Sequence, residues 1–155
     1  VYLLTRAMQE VVNAGTATYL RSVLPGSLNI AGKTGTTDNL RDSWFAGYTG
    51  DQVAVVWVGN DENKNTRLTG SSGAMTVWGD MMAQLNPEPL VPPQPENVER
   101  VRIDVATGLR ADDDCANTVE LPFIQGSAPE KTAPCASPPT GNKIRSWFQR
   151  VIGKD

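Results

Sequence analysis

Six consecutive positions, Gly32-Lys33-Thr34-Gly35-Thr36-Thr37, gather one cation, three hydroxyls and two glycines. Gly-Lys-Thr is how a phosphate-binding Walker A loop ends, but that loop needs a glycine six positions before its lysine. Position 27 is Ser27 and Gly26 is one residue out. The loop must also open a helix, and Gly35-Thr36-Thr37-Asp38-Asn39 is a poor helix start, so phosphate binding is set aside. On a strand at the edge of a cleft the same residues do different work. The strand can pair with an extended peptide, and a glycine lets that backbone come close. Lys33 supplies a positive charge for a substrate carboxylate, and the hydroxyls of Thr34 and Thr36 can bind the same group. A backbone N–H at such an edge can stabilise an oxyanion, and losing a donor of this kind has cost about 2.7–4 kcal/mol. The plain alternative is a solvated strand lysine.

Composition removes other chemistries. The 155 residues contain no histidine, so no His-based triad, His general base or His-ligated metal site can be built. Two cysteines, Cys115 and Cys135, cannot make a four-cysteine zinc site. Lys and Arg number 14 against 17 Asp and Glu, and no basic face stands out, which argues against nucleic acid. The apolar runs are far shorter than the roughly 20 residues of a membrane-spanning helix.

The elements that would position Lys33 follow from periodicity. Leu4, Ala7, Met8, Val11 and Val12 are spaced for an amphipathic helix ending near Gly15 in a left-handed cap. Leu28 to Lys33 alternates as a strand. Ser43 to Tyr48 and Gln52 to Val58, around Thr49-Gly50-Asp51, read as a hairpin. The apolar run Val53 to Val58 suggests a central strand covered on both faces. Ala74, Val77, Trp78, Met81, Met82 and Leu85 form the stripe of a second helix, with Trp44, Trp57 and Trp78 expected in the core. Arg41-Asp42-Ser43 reads as a charged turn entering a strand, with a cleft-wall contact as its functional alternative. This order gives an α+β fold, an antiparallel sheet with packed helices.

Ten of the 11 prolines fall from Pro87 onward. The expected organisation is a domain portion over 1–86, a Pro-rich linker over 87–97 and a small strand-containing extension over 98–126. A Pro/Ser-rich segment over 127–141 and an amphipathic helix over 142–155 complete it. In the extension Val101, Ile103 and Val105 share a face, and Val119 to Ile124 is a second apolar run. The basic flanks and Trp147-Phe148 face of 142–153 suit a membrane surface, a groove on another protein or its own domain.

The Lys-Thr-Gly box is also the third motif of active-site serine enzymes that handle β-lactams and D-Ala-D-Ala peptides. In combination, GKTGTT, RDSWFAGYTG and VAVVWVGND resemble the C-terminal part of a class A penicillin-binding protein transpeptidase domain. Ahead of them stands MQEVVNAGT; behind them come Ser72-Gly73-Ala74, VRIDVATGLRA and ELPFIQGSAP. The resemblance covers about residues 1 to 130. It implies a serine β-lactamase/D,D-transpeptidase-like fold, present in its C-terminal portion only, with a Pro-rich tail. It implies Lys33, Thr34, Gly35 and Thr36 as active-site residues, with the Thr36 N–H in the oxyanion hole and no metal or organic cofactor. Expected ligands of the parent enzyme are peptidoglycan stem peptides and β-lactams, and expected partners an outer-membrane lipoprotein activator and division or elongation proteins. The expected location is the periplasmic face of the inner membrane of a Gram-negative bacterium. There Cys115 and Cys135 could form a disulfide worth about 3 kcal/mol; two free thiols are the alternative.

One feature of the family is missing. None of the eight serines is followed three positions on by lysine, so the Ser-x-x-Lys nucleophile is absent from this chain. Ser27-Leu28-Asn29 spells the second motif but leads directly into the box, and reads as coincidence. A glycan-polymerising domain and a membrane anchor are expected upstream. The rivals are a β-lactamase or D,D-carboxypeptidase fragment and a non-catalytic binding module.

Overall fold

The first helix turns polar residues to the interior alongside Val11 and Val12 of its apolar stripe. In the computed structural model, which describes residues 1–136, helix α1 spans Tyr2–Asn13 and buries Thr5, Gln9 and Val12, while Leu4 is exposed. The burial is tolerated because the polar atoms find partners. Thr5 shares a hydrogen bond with the Tyr48 hydroxyl at 2.9 Å, and Gln9 Nε2 donates to the carbonyls of Asn29 at 2.7 Å and Leu90 at 3.3 Å. Gly15 does not supply a left-handed cap, since Ala14 follows the helix with φ −139°. A side chain at Gly15 would instead lie 2.9 Å from the Val11 backbone, so close approach explains the glycine.

The chain forms two units, divided in sequence between Pro93 and Gln94. In the first, a short helix α2 (Leu20–Val23) and a 3-10 turn (Gly26–Leu28) precede strand β1 (Ala31–Thr36). The strand begins three residues later than alternation from Leu28 suggests. Leu28 closes the 3-10 turn, and Asn29 breaks the extended run with φ +50°. Strands β2 (Ser43–Tyr48) and β3 (Val53–Val58) complete an antiparallel sheet in the order β1-β2-β3, with Lys33 opposite Ala46, Gly35 opposite Trp44, and Trp44 opposite Trp57.

Alternation sorts this sheet into two unlike faces. Phe45 on one face is fully buried, its ring edge-on to Trp78 with centroids 5.2 Å apart. Trp78, Met75 and Met82 come from helix α3 (Ala74–Leu85), and Leu20, Leu24, Leu28 and Ile30 close the same core. Val77 and Leu85, expected on the buried stripe of α3, are exposed; Met75 and Gly79 take the core-facing side. Gly79 matters there because a Cβ would meet Leu20 at 3.0 Å.

The other face corrects two expectations. Val53 is 82% exposed and Val55 61%, so β3 is not covered on both faces; among the described residues it is an edge strand paired with β2 alone. Trp44 and Trp57, 42% and 46% exposed, lie on this outer face with rings 6.2 Å apart, and only Trp78 is core. An apolar run reports hydrophobicity, not which faces of a strand have neighbours.

In the second unit β4 (Val98–Asp104) pairs antiparallel with β5 (Thr118–Ile124). Val101, Ile103 and Ala128 make a small core with Leu121 and Phe123. Val105 lies beyond the end of β4 and is exposed, so it does not share that face. The buried Asp104 carboxylate accepts from the Thr107 N–H at 2.9 Å and hydroxyl at 2.6 Å, closing the turn that Gly108 completes at φ +69°. A disulfide joins Cys115 to Cys135, their Cα atoms 5.1 Å apart. The expected helix over 142–155 and the last part of 127–141 lie outside the described residues.

Candidate functional site

Strand β1 is an edge of its sheet among the described residues, and its chemistry is set by which side each residue faces. Lys33 and Gly35 stand on the outer face with Trp44 and Ala46; Thr34 and Thr36 share the opposite side with Ser43 and Phe45. Lys33 is exposed, and its ammonium donates to the Thr34 carbonyl at 2.7 Å. Two of its three donors remain. It joins no ion pair among the described residues.

Each threonine is met by a residue from elsewhere in the chain. Thr34 Oγ1 lies 2.8 Å from Thr16 Oγ1, on the connection between α1 and α2. Thr36 Oγ1 accepts from the Gly70 N–H at 2.9 Å, from the loop that leads into α3. That loop lies directly on the strand: a Cβ at Gly70 would be 2.6 Å from the Gly35 oxygen and 2.8 Å from its nitrogen. Ser43, fully buried, fastens the loop by donating to the Thr69 carbonyl at 2.7 Å and accepting from the Ala74 N–H at 2.8 Å.

The turn after β1 is held as firmly. Thr37 Oγ1 donates to Asp42 Oδ2 at 2.8 Å, and Trp57 Nε1 donates to Asp42 Oδ1 at 2.9 Å. Asn39 and Leu40 lie in the left-handed region at φ +58° and +53°. For leucine this conformation costs of order 1–3 kcal/mol and persists only where its surroundings enforce it. Here Thr66 supplies two donors to the Leu40 carbonyl, from its N–H and its hydroxyl, each at 2.8 Å.

Lys33, Thr34, Gly35 and Thr36 are thus brought together on one strand; Cys115 and Cys135 belong to the other unit. Sequence reasoning missed Thr16 and Gly70. Their signal was present only as MQEVVNAGT and as Ser72-Gly73-Ala74, whose neighbour Gly70 is 34 positions from Thr36. Among the described residues no group of His, Cys, Asp or Glu could hold a metal ion.

An antiparallel sheet carrying Lys-Thr-Gly on an edge strand, with helices packed against it, defines a portion of a transpeptidase-type α+β domain. Residues 1–83 match the penicillin-binding protein transpeptidase domain, and residues 94–135 match the C-terminal domain described for penicillin-binding protein 1A. The chain belongs to the penicillin-binding protein transpeptidase family. It is 38% identical to penicillin-binding protein 1B of Vibrio cholerae over 97% of its own length and 18% of the relative's. With penicillin-binding protein 1B of Escherichia coli it shares 44% identity over 66% of this chain and 12% of that one. The crystal structure of penicillin-binding protein 1A from Haemophilus influenzae superposes on 85% of this chain and 21% of that one, with a TM-score of 0.74 at 26% identity. The chain therefore spans less than a fifth of the length of these curated relatives. No helix among the described residues is long and apolar enough to cross a membrane.

Proposed function

We propose that this chain is the C-terminal part of a bifunctional peptidoglycan synthase and supplies the Lys-Thr-Gly strand of its penicillin-sensitive serine D,D-transpeptidase. The observation that carries the reading is the placement of Lys33, Thr34, Gly35 and Thr36 on an edge strand within the segment that matches the transpeptidase domain. In the parent enzyme a serine from upstream attacks the D-Ala-D-Ala carbonyl of one stem peptide. The terminal D-Ala leaves with a proton, and an amine of a second stem peptide then displaces the serine, forming the cross-link. The hydroxyls of Thr36 and Thr34, on one side of the strand, hold the substrate carboxylate, and Lys33, on the other side, reaches around the strand edge and draws it by charge. The Thr36 N–H donates to the oxyanion that develops during attack. β-Lactams occupy the same place and leave the serine acylated.

The chain has no Ser-x-x-Lys and does not acylate by itself. In the parent protein a glycan-polymerising domain and a membrane anchor precede it, at the periplasmic face of the inner membrane. An outer-membrane lipoprotein activator and division or elongation proteins are its partners. A fluorescent penicillin tests the assignment: the full-length protein is labelled covalently and the 155-residue chain is not. Labelling of the isolated chain, or none of the full-length protein, would overturn it.

A further inference from the structure

The two threonine hydroxyls of the Lys-Thr-Gly-Thr run differ in what their partners allow. A backbone N–H can only donate, so the Gly70 contact makes Thr36 Oγ1 an acceptor and leaves its proton for a ligand. The partner of Thr34 is another hydroxyl, Thr16 Oγ1 at 2.8 Å, and either can be the donor. Thr16 is not free to drift away. Its neighbour Ala17 is fully buried, with its N–H bound to the Val11 carbonyl at 3.0 Å. Thr16 is exposed and Thr34 half-buried, so a ligand has access to the pair.

One hydrogen bond between two hydroxyls uses one of their two protons. When an anion meets Thr34, the Thr34 proton turns to it, and Thr16 then donates into the oxygen of Thr34. The resulting chain, from Thr16 through Thr34 to the carboxylate, strengthens both bonds because each polarises the next. We propose that Thr16 is a positioning residue of the carboxylate site: its hydroxyl donates to Thr34 Oγ1 and commits the Thr34 proton to the substrate's terminal carboxylate. This rests on the transpeptidase reading above and extends it to a residue outside the Lys-Thr-Gly box.

The test measures acylation rates of the full-length protein with benzylpenicillin and with its methyl ester, which lacks the free carboxylate. Thr16→Val is expected to slow acylation by the acid about five-fold, the worth of one neutral hydrogen bond, and to leave the ester rate unchanged. Thr16→Ser restores the acid rate, and Thr16→Ala repeats the loss if the valine variant does not fold. Equal slowing with acid and ester, or no slowing with either, would overturn the role of Thr16. Thr34→Val separates the two levels. If it loses the preference for the acid while Thr16→Val keeps it, only the Thr16 inference fails. If Thr34→Val itself keeps that preference in full, the carboxylate role of Thr34 fails, and the Thr16 inference with it, while Lys33 and Thr36 still carry the reading of the box.

Discussion

Replacing Gly70 with alanine tests the seat of the strand that carries Lys33. The added methyl would lie 2.6 Å from the Gly35 oxygen, 2.7 Å from the Trp44 oxygen and 2.8 Å from the Gly35 nitrogen. All three atoms are backbone, so no side chain can rotate out of the way. Gly70 is not in the left-handed region, which leaves overlap and not backbone strain as the cause. Overpacking of this kind costs about 1–3 kcal/mol. If the loop lifts to relieve it, the bond from Gly70 to Thr36 is lost, a further ~1 kcal/mol. Reduced entropy of the unfolded chain returns about 0.4–1 kcal/mol. The net expectation is a loss of about 2–3 kcal/mol, or a urea midpoint lower by about 1–2 M at the slopes usual for a small domain. Tryptophan fluorescence reads the transition. Gly26→Ala is the control, because no atom lies within 4 Å of a Cβ there and its expected effect is close to zero. A Gly70→Ala midpoint indistinguishable from that of Gly26→Ala would refute the packing argument.

Two further perturbations address other parts of the chain. The Gln52 side-chain amide first, and the Glu88 backbone N–H next, hold the Asp51 carboxyl below the ordinary aspartate range. A lowered folded-state pKa means the contribution is complete above the unfolded value, about 3.9, and is lost as pH falls through the folded one. Acid titration of unfolding should therefore show a steeper loss below about pH 4 in the wild type than in Asp51→Asn; equal slopes would sink the claim. Cys115 and Cys135 are separated by 20 positions, and opening their bond should remove about 3 kcal/mol from a unit with only a small core. Limited proteolysis within 94–136 should accelerate on reduction or in Cys115→Ser/Cys135→Ser, and unchanged protection would count against it.

Local signals were legible where local physics decides. The hairpin around Thr49-Gly50-Asp51 and the extent of α3 follow from turn residues and period, and the Lys-Thr-Gly box from the identity of its residues. What escaped depends on partners distant in sequence. Thr5 and Gln9 face the core because Tyr48, Asn29 and Leu90 satisfy them, which no periodicity in α1 encodes. Trp44 and Trp57 look like core residues by type, yet their part of the sheet is open to solvent while Phe45 packs against Trp78. Thr16 and Gly70 carry no chemical signature of their own; they matter because the fold seats them on Thr34 and Thr36.

The central claim is that this segment brings the Lys33 charge to the substrate of a serine transpeptidase. Its most direct test is the second-order rate of fluorescent-penicillin labelling of the full-length protein with Lys33→Ala. Lys33 is exposed and packs into no core, so the variant should keep its fold and unfold at the wild-type temperature. Labelling is expected to fall by about 10- to 100-fold, the scale of losing one charged contact to the substrate carboxylate, about 1.5–3 kcal/mol. A Lys33→Ala protein labelled at the wild-type rate would contradict it.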